Sequence, residues 1–202
     1  MTTLDLDIIF PHPEITKLSN EEAPTAKTLL LLVKEVYANA RSVEASEGGG
    51  AHGHLGQVMP AAPYLILAGA GNAWNDPAHP GVYAAAAGTS AVQLAVTTAA
   101  HGVAVLENRT ANAVEAKLKS QVLRAVPNEF LNALEDPIHG FAEITTAEML
   151  EHLDTTYGTV TPEDLDENEA ALSTEWDPTT PTETVFDNAN KIMIFATSAG
   201  EG

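Results

Sequence analysis

The chain contains no cysteine. That absence excludes disulfide bridges, a catalytic thiol and every zinc site built on thiolates, a zinc knuckle included. Aromatic residues are scarce as well, at 5 % of 202 residues, whereas alanine, the best intrinsic helix former, is abundant. Basic residues are few: nine Lys and Arg stand against 28 Asp and Glu, for a net charge of −19. Between Ala125 and Asn190 there is no Lys or Arg, and sixteen acids fall there; the remainder is nearly balanced, with twelve acids and nine bases. Nucleic-acid binding draws most of its affinity from Lys and Arg on phosphates. RNA is therefore expected to be held only indirectly or weakly.

Long apolar runs are missing too. Stretches such as Thr28 to Val33 and Val82 to Ala87 fall far short of the roughly 20 residues a membrane span needs. Met1 to Phe10 carries Asp5 and Asp7 and lacks the basic and apolar regions of a secretory leader. The expectation is a soluble, cytoplasmic chain with no membrane partner, in which the Asn108 to Thr110 sequon goes unmodified.

What is present reads as an all-α chain. Leu4, Leu6 and Ile8 alternate before Pro11 and Pro13, which predicts a short irregular or β-like N-terminal arm. Ser19-Asn20-Glu21-Glu22 with Pro24 has helix-start chemistry. Leu29, Leu32, Val33, Val36, Tyr37 and Ala40 then recur at helical spacing, with Lys34, Glu35, Asn39 and Arg41 on the polar side. Five glycines between Gly48 and Gly56 preclude regular structure there. A short helix is expected from Met59 to Ala68, with proline in its first turn and Gly69 as its stop, followed by loop to Gly88.

Thr89-Ser90 offer an N-cap to a long helical pattern reaching Val126. Its candidate core positions are Val92, Ala95, Val96, Ala99, Val103, Leu106, Val114, Leu118, Val122 and Val126. Gly102 and the Asn108 to Asn112 stretch allow for two helices meeting at a bend. Pro127-Asn128 predicts a short helix holding Phe130, Leu131 and Leu134. Three threonine-led starts follow: Thr145-x-x-Glu148, a capping box, then Thr161-Pro162-Glu163-Asp164 and Thr180-Pro181-Thr182-Glu183, each with proline at the first helical position. Their apolar faces are Met149, Leu150, Leu153 and Tyr157; Leu165 and Leu172; and Val185, Phe186, Ile192 and Phe195. Gly158 and Gly200 stand as stops. Acids crowd the first turns, where the helix dipole favours them. The segments divide as an arm and first helix (1–47), a Gly/Pro-rich connection with a short helix (48–88) and a helical domain (89–202).

Sites for chemistry are hard to find. His52-Gly53-His54 is the best metal signal, with His12, His79 and His101 as unplaced additions, but no third ligand has a recognised spacing. The pair is read as polar loop residues. Leu65 to Gly71 starts like a strand entering a dinucleotide loop, yet Asn72-Ala73-Trp74-Asn75-Asp76-Pro77 replaces the third glycine and helix. Asp154-Thr155-Thr156 lacks the glycine an aspartic-protease turn requires, and no P-loop, Gly-x-Ser-x-Gly elbow or His-Glu-x-x-His occurs. Trp176 before Asp177-Pro178 suits the joint between two helices or an interface anchor. No residue is assigned a catalytic, cofactor-binding or metal-binding role, and neither a cofactor nor a small-molecule substrate is expected.

The order of segments carries a resemblance. Phe10-Pro11-His12-Pro13 precedes Lys34-Glu35-Val36-Tyr37-Ala38-Asn39-Ala40-Arg41, then Gly49-Gly50-Ala51-His52-Gly53-His54-Leu55-Gly56 and Val58-Met59-Pro60. Phe141-Ala142, Leu150-x-x-Leu153-x-x-x-Tyr157-Gly158, Thr161-Pro162-Glu163-Asp164-Leu165 and Trp176-Asp177-Pro178-x-x-Pro181 complete it. From about Phe10 to Phe195 the chain resembles the Gag-like N-terminal region of copia-type retrotransposon polyproteins of algae and protists. The resemblance implies a non-enzymatic, helical capsid domain whose partners are further copies of itself. The chain stops at Gly202 without protease, integrase or reverse transcriptase, so a fragment, a truncated element or a domesticated copy is expected, and RNA packaging is in doubt. The competing class is a small intracellular helical adaptor whose acidic surface docks a basic partner; an enzyme using an unrecognised acid or histidine site is third.

Overall fold

The computed structural model describes residues 5–173 and 181–200. Among them are seven α-helices: α1 (Leu6–Ile9), α2 (Ala26–Arg41), α3 (Ala61–Ala68), α4 (Ala91–Ala125), α5 (Thr146–Tyr157), α6 (Pro162–Leu172) and α7 (Thr182–Ala199). No strand occurs among the described residues, only one bridge between Asp136 and Gly140. The fold is all-α.

The arm is not β-like. Asp5 caps a single helical turn, its carboxylate accepting from the Asp7 amide. That turn points Leu6 and Phe10 into the core, four residues apart, and leaves Ile8 in solvent. Alternation misled because helical i, i+4 spacing shares its even positions. The remaining arm, with Ile15 and Leu18 buried, runs irregularly across α2 and α4. The start of α2 also differs from expectation. Thr25, not the Ser19 to Pro24 stretch, is the N-cap, and Thr25 and Thr28 form a reciprocal capping box.

The core lies where α2, the C-terminal half of α4 and α5 meet. Leu29, Leu32, Val36 and Ala40 face Val114, Leu118 and Val122, with Met149, Leu150 and Leu153 closing the third side. Leu55, Val58 and Tyr64 add the turn region and α3, so all three sequence segments feed one cluster. Asn39 departs from its expected polar face and is wholly buried. Its Nδ2 donates to the His12 carbonyl at 2.7 Å and to Gln121 Oε1 at 3.0 Å, while its Oδ1 accepts from the His12 amide at 2.9 Å. Gln121 Nε2 donates in turn to the carbonyls of His12 and Pro13. This clamp fastens the arm between α2 and α4, helped by the Leu18 amide donating to the Ala125 carbonyl. Buried amides are tolerated here because they satisfy one another and the arm backbone.

Helix α4 is one continuous element, not two meeting at a bend. Ser90 and Gln93 form its capping box, and neither Gly102 nor Asn108 interrupts it. Alanine-rich sequence sustains the helix across the single glycine, whose cost relative to alanine is about 1 kcal/mol. The short helix expected after Pro127 is instead a pair of 3₁₀ turns, Asn128–Phe130 and Asn132–Leu134.

The capping boxes at Thr145 and Thr161 form as expected, and Pro162 opens α6. Pro181 sits at the N-cap of α7 rather than inside it; Thr180 and Trp176 lie outside the described residues. Helices α6 and α7 pack chiefly on each other, Asn168 Nδ2 donating to the Ile192 carbonyl at 3.1 Å. Ile192 and Phe195 are buried as expected, whereas Leu165, Leu172, Val185 and Phe186 are exposed. An 11-residue helix facing one neighbour has little apolar surface to cover.

Candidate functional site

Two regions combine shape with chemistry: the turn holding His52 and His54, and the half of α4 that leaves the core. The glycines of the turn let the backbone double back under α2. At Gly53 φ is +53°, and a Cβ there would lie 2.4 Å from the Val43 carbonyl oxygen and 2.5 Å from that of Arg41. Only glycine fits. The close approach brings the His54 amide to the Ala40 carbonyl at 3.0 Å, buries the His54 ring, and sets it edge-on to Trp74 with centroids 5.4 Å apart.

His52 and His54 do not converge on a point. His52 packs on the edge of Tyr64, His54 on Trp74. His12 joins the clamp through its backbone, His79 Nδ1 accepts from the Gly81 amide, and His101 stacks at a tilt on Tyr83. Among the described residues no three His, Asp or Glu side chains gather around a common point suited to a metal.

His54 borders an open cleft of about 400 Å³ between the turn and α4, lined also by Glu44, Ser46, Pro77, Leu106 and Glu107. Burial pushes the His54 imidazole below its ordinary value of 6.5; Gln57, which bonds its Nδ1 at 3.0 Å, the Glu44 backbone and the Asp76 carboxylate pull the other way without cancelling that shift. A histidine kept neutral by the fold affects stability with a definite sign. As pH falls below 6.5 the unfolded chain takes the proton first, so this contribution is complete above 6.5 and is lost towards lower pH. His54→Gln should flatten the loss of stability between about pH 7.5 and about pH 5.5 in urea titrations. Equal losses in the two proteins would remove His54 from the pH response.

The second region departs from the sequence expectation. Val92, Val96, Val103 and Leu106, placed above in the core, are 76 %, 64 %, 55 % and 58 % exposed, and Ala95 and Ala99 are exposed as well. Val114, Leu118 and Val122 further along the same helix are fully buried. The helix outruns its core. At 1.5 Å per residue the stretch from Ala91 to Leu106 extends about 24 Å beyond it.

The loop before α4 returns along one flank of this projection. Tyr83 meets Thr97 through hydroxyls 2.6 Å apart, and Asn108 Nδ2 donates to the Pro77 carbonyl at 2.7 Å. His101 and Asn108 lie on that flank; Val92, Val96, Ala99 and Val103 lie on the opposite side of the wheel, which this loop does not cover. From Pro77 to Leu106 the sequence holds no Asp, Glu, Lys or Arg. In a chain of net charge −19 it is one of two long uncharged segments, the other running from Gly48 to Asn75, and its helical part is the stretch that projects. Its charge gap was legible in the sequence; its exposure was not.

No described helix is long and apolar enough to cross a membrane. Comparison with known proteins finds no matching family model, no matching curated protein and no matching solved structure.

Proposed function

We propose that this chain is a structural protein that self-associates through helical surfaces, the capsid-like, Gag-like role that its resemblance to copia-type retroelements implies. The observation that carries this reading is the projecting, uncharged half of α4, whose apolar side is left exposed among the described residues. Monomeric proteins rarely keep contiguous apolar stripes in water without a partner for them. Shell proteins assemble from rigid helical blocks through modest interfaces repeated by symmetry, and a single long helix rooted in a three-helix core is such a block. No catalytic step is part of this reading, and RNA contributes weakly, since sixteen acids from Ala125 to Asn190 face no base.

Electrostatics sets the test. Copies of net charge −19 repel one another, and salt screens that repulsion over a Debye length of about 10 Å at 0.1 M. Light scattering on the purified chain should show association that grows from low to moderate salt without added RNA. Particles that form only with RNA and dissolve as salt rises would reverse the reading.

A second reading has its own observation. Glu163, Asp166, Glu167 and Glu169 stand exposed on α6, which carries no Lys or Arg. That face suits a basic partner and an adaptor role. An adaptor stays a monomer or dimer at every salt concentration, which the same scattering series distinguishes.

A further inference from the structure

We infer that the projecting half of α4 pairs antiparallel with the same segment of a second copy, along the seam Val92, Val96, Ala99, Val103 and Leu106. The inference rests on the self-association reading and names its primary contact.

The spacing of these positions is four, three, four, three. That is the 3.5-residue repeat of a coiled-coil seam, not the broader stripe of a helix lying on a globular core. Further along α4 the core positions Val114, Leu118 and Val122 are covered by α2 and α5 and lie roughly 80° round the helix from the seam. Among the described residues Val92, Val96 and Ala99 are exposed, and Val103 and Leu106 only border the open cleft beside Glu44 to Glu47. The projecting half also has no charged side chains, hence no i, i+4 ion pairs to support it, and a helix of this length is marginal in water without packing.

Charge identifies the occupant. A basic partner is drawn to α6 and the acidic half, and gains nothing from a segment without a formal charge. A second copy is repelled by those acids and approaches at lower cost through Pro77 to Leu106, which itself holds no formal charge and meets Glu44, Glu47 and Glu107 only at the cleft beside Val103 and Leu106. The seam meets itself under a two-fold axis, as an isologous dimer requires.

The same forces set the direction. A parallel pair brings both acidic bodies to one end of the seam. An antiparallel pair sends them to opposite ends, about 21 Å apart along the seam, more than twice the Debye length of about 8 Å at physiological salt. It also opposes the two helix dipoles. With the axis at Ala99, Val92 meets Leu106 and Val96 meets Val103, and the small central side chain lets the backbones come close.

Sedimentation equilibrium of the full chain at moderate salt should show a concentration-dependent dimer. Val96→Glu combined with Val103→Glu should weaken it by at least about tenfold, since pairing would bury unpaired carboxylates, while circular dichroism stays unchanged. Ile66→Glu, on the exposed side of α3, should leave the dimer intact. Because the chain has no cysteine, Ala99→Cys should yield a disulfide-linked dimer under copper-catalysed air oxidation and Val92→Cys should not. A wild-type dimer that survives the double glutamate variant overturns the seam and leaves self-association standing. Efficient Val92→Cys linkage overturns the antiparallel direction. A wild-type chain that stays monomeric across the concentration and salt series overturns both the seam and the reading beneath it.

Discussion

Asn39→Ala is expected to lower the unfolding free energy by about 3 kcal/mol and to release the N-terminal arm. The side chain is fully buried and makes three hydrogen bonds, two to the His12 backbone and one to Gln121. Alanine keeps none of them. The His12 amide and Gln121 Oε1 are left without their partner, and each buried polar group stranded in this way costs about 1–3 kcal/mol. The His12 carbonyl retains its bond from Gln121 Nε2, which limits the damage.

The exposed ion pair of Lys117 with Asp7 also ties the arm to α4, but a solvent-facing pair contributes only about 0–1 kcal/mol. Lys117→Ala should therefore be nearly silent where Asn39→Ala is severe. Urea unfolding measures the stabilities, and hydrogen exchange at His12 and Leu18, whose amides donate to Asn39 and to the Ala125 carbonyl, reports arm release. Loss of under about 1 kcal/mol in Asn39→Ala, with both amides still protected, would transfer the role to the apolar anchors Phe10, Ile15 and Leu18.

Leu118→Ala should cost about 3 kcal/mol, while Val96→Ala on the same helix should change the stability of the dilute chain by less than about 0.5 kcal/mol. Leu118 has no exposed surface and sits among α2 and α5 side chains that relax only partly around a cavity. Val96 is mostly in water and has no core neighbour to lose. Denaturant titration at low protein concentration separates the two, because the seam is unpaired there. At high concentration Val96→Ala acquires a cost, since the dimer that stabilises the native chain by mass action is weakened. A large effect of Val96→Ala in the dilute chain would mean that another part of the protein covers the projection.

Much of the helical content was determined locally and could be read directly. Thr145-x-x-Glu148, Thr161 with Pro162, and Ser90 with Gln93 fix helix starts through bonds spanning three residues, independent of the rest of the fold. The amphipathic stripe of α2 and the glycine-rich break at 48–56 are local in the same sense. Periodicity states which side of a helix is apolar but carries no information on whether anything covers it. Val92 to Leu106 and Val114 to Val122 are both apolar sets at helical spacing, and only the reach of α2 and α5 decided that the second set is core and the first is surface. Asn39 and Gln121 show the converse. Polar by type, they are buried because the arm returns to α2 and α4 and supplies backbone partners from residues 27 and 109 positions away. Burial is a property of long-range contacts, and a buried amide becomes favourable only once those contacts exist. The sequence by itself determined helices, turns and the uncharged segment; tertiary structure alone decided which apolar side chains remain without a partner.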